Sequence, residues 1–598
     1  MEVFNTQPGA ADNAAALITD NIDIWTSAIK ARATQGRGSS KKRELYGIKK
    51  LRELILELAV RGKLVPQDAN DEPASTLLKR IAAEKAVLVK EGKLKKQKTL
   101  PTVSGDEVAG GIPAGWIWTR LGEIAEIGPR NGEIADDADV SFVPMSLISK
   151  SYKGDHGSED RTWSEVKKGY THFADGDIAV AKITPCFENS KAAIFRGLKN
   201  GVGTGTTELH VARPIGNTID RLYILLYLKA PQFLIIGETK MTGTAGQKRV
   251  PKEFFAGNPL PLPPLSEQHR IVAKVDELMA LCDQLEQQTE ASIDAHATLV
   301  ENLLAALTQS ADATELEQNW TRIADHFDTL FTTDHSIDQL KQCVLQLAVM
   351  GKLVPQDPND EPAAVLLEKI AAEKTQLVKE KKIKKHKALP PIGDEEKPFA
   401  LPEGWEWCRL GSLTSVVTSG SRGWNKYYSD TGATFIRSQD IKYDRLEFDN
   451  RAFVDLPRST EGKRTKVDLD DILITITGAN VGKAARIEAV LDEAYVSQHV
   501  SLIKLIDGSL ATYLHLWLTG GHGGRKELLS QSYGDKPGLN LQNINELPVP
   551  VAPALHQKVV LAKVDQLLAL CDQLKARLQQ AQQTQLHLAD ALVVQAVG

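Results

Sequence analysis

Cysteine is scarce in this chain. Cys186, Cys282, Cys343, Cys408 and Cys571 are scattered through 598 residues without a C-x-x-C pair. That usage argues against a disulfide framework and a zinc site, and it fits a reducing cytoplasm. Long apolar runs are also missing: nothing approaches the roughly eighteen residues that a membrane-spanning helix needs. The opening "MEVFNTQPGAADNAAALITDNIDIW" is acidic, with no basic segment leading into an apolar one, so no secretory signal is expected. Nor is there a basic surplus. The formal net charge is −5, so a nucleic-acid partner has to be met by local surfaces.

Signatures of catalysis are equally thin. No H-E-x-x-H or G-x-S-x-G occurs, nor the N-P-P-Y or D-P-P-Y tetrapeptide of amino-methyltransferases. "GANVGKA" (478–484) is one residue short between its glycines for a phosphate-binding loop, and Ala484 stands where Ser or Thr would meet magnesium. "GVGTGT" (201–206) lacks the strand–helix setting of a dinucleotide site. These absences predict a chain with no active site and no metal of its own.

What is present is a repeat, and in a chain too long for one hydrophobic core a repeat sets the architecture. "LAVRGKLVPQDANDEP" (58–73) returns as "LAVMGKLVPQDPNDEP" (347–362), identical at fourteen of sixteen positions across an offset of 289. At the same offset, "LLKRIAAEKAVLVKEGKLKKQKTLP" ending at Pro101 matches "LLEKIAAEKTQLVKEKKIKKHKALP" ending at Pro390. "IPAGWIWTRLGEI" from Ile112 likewise matches "LPEGWEWCRLGSL" from Leu401. Upstream, "ITDNIDI" from Ile18 resembles "IADHFDT" from Ile323 at an offset of 305, which leaves about 16 extra residues in the first copy, assigned to 33–43. Similarity lapses over 125–258 and 414–547, then resumes at "AKVDELMALCDQL" (273–285) and "AKVDQLLALCDQL" (562–574). Each half is a near-constant frame around a divergent module: one task performed on two targets.

Within the frames, the pattern from Leu265 to about Leu307 predicts one long helix after the proline-rich 259–264. Ile271, Val275, Leu278, Cys282 and Leu285 step by 4, 3, 4 and 3, a coiled-coil seam repeated by Val560, Val564, Leu567, Cys571, Leu574 and Leu578. At ~1.5 Å per residue such a helix is roughly 65 Å long. One seam lying antiparallel on the other buries both and relates the halves by a pseudo-two-fold axis. Cys282 and Cys571 read as small apolar seam residues. Leu51, Leu54, Ile55 and Leu58 share a helical face that Gly62 terminates. The basic runs at 90–98 and 379–387 fit either phosphate contact or a solvated helix end.

The modules read as α+β. "SFVPMSLI", "GDIAVAKI", "KAAIF" and "TELHVARP" suggest strands and "DRLYILLYLKAPQFLI" a helix in the first; "TFIRSQDI", "DILITIT", "HVSLIKL" and the helix "ATYLHLWLT" are their counterparts. Their loops carry the side chains that read base edges, Arg or Lys for guanine and Asn or Gln for adenine. Candidates in the first module are Arg130, Asn131, Lys182, Asn189, Lys191, Gln247, Lys248 and Arg249. In the second they are Arg422, Trp424, Asn425, Lys426, Arg437, Gln439, Lys442, Lys536 and Asn540. Charge does not separate this reading from ordinary surface loops: 121–258 holds 17 basic and 17 acidic residues, 410–547 holds 16 and 17. A non-DNA coiled-coil scaffold and a self-contained methylating enzyme are the rival classes.

The order of parts resembles the specificity subunit of type I restriction–modification enzymes over nearly the whole chain. "PPLSEQHRIVAKVDEL" (263–278) is close to that family's closing motif; the second copy departs to "VAPALHQKVVLAKVDQL" (551–567), with Ala554 and His556 in place of the more usual residues. The resemblance implies target recognition domains at 112–264 and 401–554, a helical region at 1–111 repeated at 311–400, and spacer helices at 265–310 and 555–598. It further implies double-stranded DNA as ligand, each recognition domain reading half of a split asymmetric site. Two methylation subunits and restriction subunits would be partners, carrying S-adenosylmethionine, ATP and Mg2+ that this chain does not bind. A helix pair of this length compares with two turns of DNA at ~34–36 Å each. Gly62, Lys63, Leu64, Gly351, Lys352 and Leu353 are then candidates for holding helices and partner subunits in register.

Overall fold

The described residues of the computed structural model are 10–31, 43–96, 99–108, 110–216, 218–311, 313–385, 387–442, 444–457, 462–520, 523–532 and 538–597. The chain forms two compact units, Met1–Ile293 with Gln580–Gly598, and Asp294–Gln579.

In the first unit, Leu51, Leu54, Ile55 and Leu58 are buried on one helix, Tyr46–Val60. Upstream, Ile18 and Trp25 are buried on Ala10–Thr19 and Ile22–Ser27. The extra segment of the first copy is tied at its base, Lys30 pairing with Glu44 and Ala31 with Arg43. Between these pairs, 32–42 lies outside the described residues. In the second unit the helices Ala313–Asp325, Phe327–Leu330, Asp334–Val349 and Ala363–Lys379 reproduce the frame.

The long helices run Leu265–Gln309 and Ala554–Val597. The former begins in the first unit and ends in the second; the latter begins in the second and ends in the first. Ile271, Val275, Leu278, Cys282 and Leu285 are buried in the same core as Leu51, Leu54 and Leu58. Arg52 of that frame helix pairs with Asp283 at 2.7 Å and Glu286 at 2.5 Å. In the second unit Val560, Val564 and Cys571 share a core with Leu340, Val344 and Leu347, Lys341 pairs with Asp572, and Lys575 with Asp338 at 2.8 Å. Each seam thus lies in the same core as the frame helix of its own unit and is tied to it by ion pairs, a partner that heptad spacing alone does not single out. Burial pushes the Cys282 thiol up to about 11, so it stays neutral and acts as a small apolar group.

Each module is opened and closed by one antiparallel pair: Ile117–Arg120 with Pro259–Leu262, and Glu406–Arg409 with Pro548–Val551. At that base Arg120 is buried, donating from Nε to Pro101 O at 2.7 Å and from Nη2 to Glu107 at 2.7 Å. Arg409 does the same to Pro390 O at 3.1 Å and Glu396 at 2.7 Å. Inside, one four-stranded sheet has the same order in both modules. It runs Ala125–Ile127, Leu209–Pro214, Ile178–Ala181, Ala192–Ile194 in the first. In the second it runs Thr414–Ser419, Val500–Leu505, Ile472–Thr475, Ala484–Arg486. A second four-stranded sheet completes each module. The stretch "DRLYILLYLKAPQFLI" is not one helix but two, Arg221–Lys229 and Pro231–Lys240. Pro231 has no N–H to continue the ladder and holds Ala230 extended, at ψ 140°. "ATYLHLWLT", without a proline, is a single helix, Ala511–Thr519. No helix among the described residues is long and apolar enough to cross a membrane.

Candidate nucleic-acid interface

Beyond Ala181 the first module's strand stays paired. Lys182 N donates to Glu208 O at 2.9 Å, Val250 N to Lys182 O at 2.8 Å, and Thr184 N to Lys248 O at 3.0 Å. The segment 242–250 is itself closed by reciprocal bonds between Thr242 and Arg249 at 3.0 and 2.8 Å. Two loops distant in sequence therefore meet at one end of one sheet and bring Lys182, Lys248 and Arg249 together with Glu208. Arg249 grips the Glu208 carboxylate with Nε at 2.9 Å and Nη2 at 2.8 Å. That guanidinium holds the carboxyl below the usual carboxylate range. Gln247 and Lys248 are exposed beside it.

The second module repeats the backbone and changes the chemistry. Ile476 N donates to His499 O at 2.9 Å and Leu539 N to Ile476 O at 2.9 Å, so His499 occupies the place of Glu208 and Gly538 that of Arg249. The Thr477 hydroxyl meets His499 Nδ1 at 2.5 Å, and Gln498 Nε2 lies 3.1 Å from His499 Nε2. Gln498 and His499 are exposed. A charged pair at one sheet end and an imidazole–amide–hydroxyl group at the other offer different donors and acceptors to base edges. Glu208, Thr477, Gln498 and His499 are not singled out by the sequence. The available signal is a polar residue immediately before the strands Leu209–Pro214 and Val500–Leu505.

Several sequence candidates have other occupations. Asn131 is a structural tie: its amide donates to Phe173 O at 3.0 Å and Gly203 O at 3.2 Å and accepts from Arg213 Nη2 at 3.4 Å. Trp424 is a core residue, 3% exposed and packed on Phe435 and Tyr495, so no base can stack on it. Asn540 caps the helix Leu541–Glu546, its side chain accepting from Asn543 N at 2.8 Å. Lys191 donates to Met145 O at 2.7 Å, and Asn189 bridges Pro185 O at 2.7 Å and Lys150 Nζ at 3.0 Å. Arg437 is paired with Asp440 at 3.0 Å and Lys442 with Asp449; Gln439, its amide oxygen turned toward Arg437, accepts from that guanidinium at 3.2 Å. Asn480 ties this loop to the strand-end site by donating to Ser438 O at 3.1 Å. Arg130, Arg422 and Lys426 are exposed, Lys426 lying 4.7 Å over the Tyr427 ring. The Asn425 side chain and Lys536 lie outside what is described.

The twice-written "GKLV" is turned inward, against residues of its own unit. Gly62 and Gly351 are left-handed, at φ +65° and +70°, and a Cβ there would lie 2.4 Å from Pro113 Cγ or 2.5 Å from Pro402 Cγ. Leu64 is buried and Leu353 partly so. Lys63 Nζ donates to Ala596 O at 3.2 Å; Lys352 Nζ donates to Ser310 O at 2.9 Å and Thr308 O at 3.3 Å. Each lysine therefore caps the C-terminal end of a long helix, where unpaired carbonyls carry partial negative charge.

Residues 113–295 match the family model described as the type I restriction modification DNA specificity domain. The chain is similar to the type I restriction enzyme EcoAI specificity subunit of Escherichia coli, 52% identical over 586 residues that cover 97% of this chain and 99% of that one. It is likewise similar to the EcoEI specificity subunit of Escherichia coli, 53% identical over 589 residues, 96% of this chain and 98% of that one. Among solved structures, the HsdS subunit from Thermoanaerobacter tengcongensis aligns with a TM-score of 0.42 at 18% identity, covering 81% of this chain and 97% of that one.

Proposed function

This chain belongs to the specificity subunits of type I restriction enzymes, and from that membership we propose that each module reads one half of a bipartite, asymmetric DNA sequence. One observation carries the reading: the strand-end sites share their backbone hydrogen bonds yet present Lys182, Glu208 and Arg249 in one module and Thr477, Gln498 and His499 in the other. Equal frames fix the separation of the half-sites, and unequal side chains make the halves differ. In this reading the chain performs no chemistry. Two methylation subunits bring S-adenosylmethionine to a target adenine, restriction subunits bring ATP, Mg2+ and cleavage, and the assembly works in the cytoplasm.

Domain exchange tests it. Replacing 112–264 with the corresponding module of another specificity subunit should change one half of the motif methylated by the assembled enzyme and leave the other half intact. A change in both halves, or in neither, would sink the modular reading. In a gel-shift, a non-DNA scaffold would show no preference between the motif duplex and a scrambled one.

A further inference from the structure

Two lysine runs leave the frames in the same way. Helices Ala74–Lys90 and Ala363–Lys379 each end in a turn that returns two N–H groups to the last carbonyls. Gly92 N donates to Val89 O at 3.2 Å and Lys93 N to Leu88 O at 2.9 Å. In the second copy Lys381 N donates to Val378 O at 3.1 Å and Lys382 N to Leu377 O at 3.0 Å. Such a turn requires a left-handed residue, for which glycine is favoured. The first copy supplies Gly92 at φ +72°, but the second supplies Lys381 at φ +56°. A lysine there works against the backbone preference, so the second copy carries a cation at a position where glycine would be less strained.

The described parts of the runs are anchored, not loose. Leu94 is buried and Ile383 half-buried, while the described lysines between 90 and 96 and between 379 and 387 are exposed. Each carrying helix is fastened to its reading module, Lys85 Nζ donating to Gly122 O at 2.6 Å and Lys374 Nζ to Gly411 O at 2.6 Å. The segment 90–98 holds five lysines and one glutamate, and 379–387 six lysines and one glutamate, in a chain of net charge −5. The attraction of a helix C-terminus accounts for cations in the last turn only. Lys384, Lys385 and Lys387 lie past that turn and form no ion pair with any described residue. The modules themselves are nearly neutral, so single-sign charge gathers here.

We propose that these two runs grip the phosphate backbone of duplex DNA without regard to sequence, one beside each reading module. The inference rests on the DNA-reading function and adds to it a part that supplies affinity and no specificity. Its signature is salt dependence, because each neutralised phosphate releases condensed counterions.

The test is a full-length variant carrying Lys95→Gln, Lys96→Gln, Lys384→Gln, Lys385→Gln and Lys387→Gln. Its binding to a fluorescent mixed-sequence duplex and to a duplex bearing the methylated motif is titrated over a range of salt concentrations. The slope of log affinity against log salt should become shallower by roughly 0.9 for every phosphate that is no longer neutralised, while preference for the motif duplex stays unchanged. The matching Lys→Arg variant should keep the original slope, which controls for folding. An unchanged slope in the Gln variant overturns the proposal, including the case where assembly with a methylation subunit is what suffers, since the runs would then be a protein surface. A wild-type chain with no motif preference would instead fail the half-site reading, which the slope does not measure.

Discussion

The ammonium of Lys63 donates to the carbonyl of Ala596 at 3.2 Å across 533 residues of sequence, while its repeat counterpart Lys352 donates to Ser310 at 2.9 Å across 42. The same lysine of the same motif caps the end of the last helix in one unit and of the first long helix in the other. Removing the cap leaves carbonyls unpaired at the negative end of a helix. Lys352→Met should therefore cost the second unit about 1 kcal/mol, and Lys63→Met a similar amount in the first. Denaturant titration reads this as a lower midpoint with an unchanged slope; an unchanged midpoint would remove the capping role.

The glycines beside these lysines are tested separately. At Gly62, a Cβ would meet Pro113 Cγ at 2.4 Å and Trp116 Cζ2 at 2.9 Å; at Gly351, Pro402 Cγ at 2.5 Å and Trp405 Cζ2 at 2.9 Å. Both also require a left-handed backbone, so strain adds to the clash. Gly62→Ala or Gly351→Ala should each destabilise by about 1–3 kcal/mol, with weaker assembly as a consequence of lost folding. The bases read should not change. Wild-type thermal stability in either variant would contradict the packing.

Much of this architecture is legible in the sequence because a repeat reports its own frame. Fixed offset, heptad spacing and the Gly–Pro punctuation of "GKLVPQ" locate the long helices and the helix that Gly62 ends. Spacing cannot say which helix end Lys63 meets, since an offset of 289 aligns it with Lys352 whether or not the partners are equivalent. The site is less legible for a chemical reason: the residues that read bases are also those that tie loops. Asn131 satisfies its amide on Phe173 and Gly203, and Asn540 spends its side chain as a helix cap. Glu208 and His499 become site residues only once 249–250 and 538–539 fold back onto the strand end, a long-range pairing that no local pattern announces.

Two half-buried histidines make the modules sensitive to acid. His210 Nε2 donates to Val250 O at 2.8 Å beneath the first strand-end site, and His515 Nε2 to Asp444 O at 2.9 Å in the second module. Burial holds both below the ordinary value of 6.5. The unfolded chain then takes up protons before the folded one, so stability present above pH 6.5 is lost as pH falls through the depressed folded values. Each contributes at most about 1.4 kcal/mol per pH unit. Unfolding free energy measured against pH should fall below 6.5, and more gently in His210→Gln or His515→Gln. A flat profile in the unaltered chain would count against both assignments.

The strand-end sites make the sharpest functional demand. In the proposed half-site reading Arg249 would meet a guanine edge, with Glu208 orienting its guanidinium through two bonds of 2.9 and 2.8 Å. Because that pair is partly exposed, it can re-form on a base without taking a buried charge out of water. Arg249→Ala should cost about 1–3 kcal/mol of discrimination at one base pair of one half-site. Glu208→Gln should weaken the same position less, since the guanidinium remains. His499→Ala should act on the other half alone, because His499 lies at the corresponding place in the second module and is held by Thr477 at 2.5 Å. Competition binding with duplexes substituted one position at a time separates these effects. If Arg249→Ala and His499→Ala relaxed the same half-site, or weakened all sequences equally, these residues would be gripping the backbone and reading nothing.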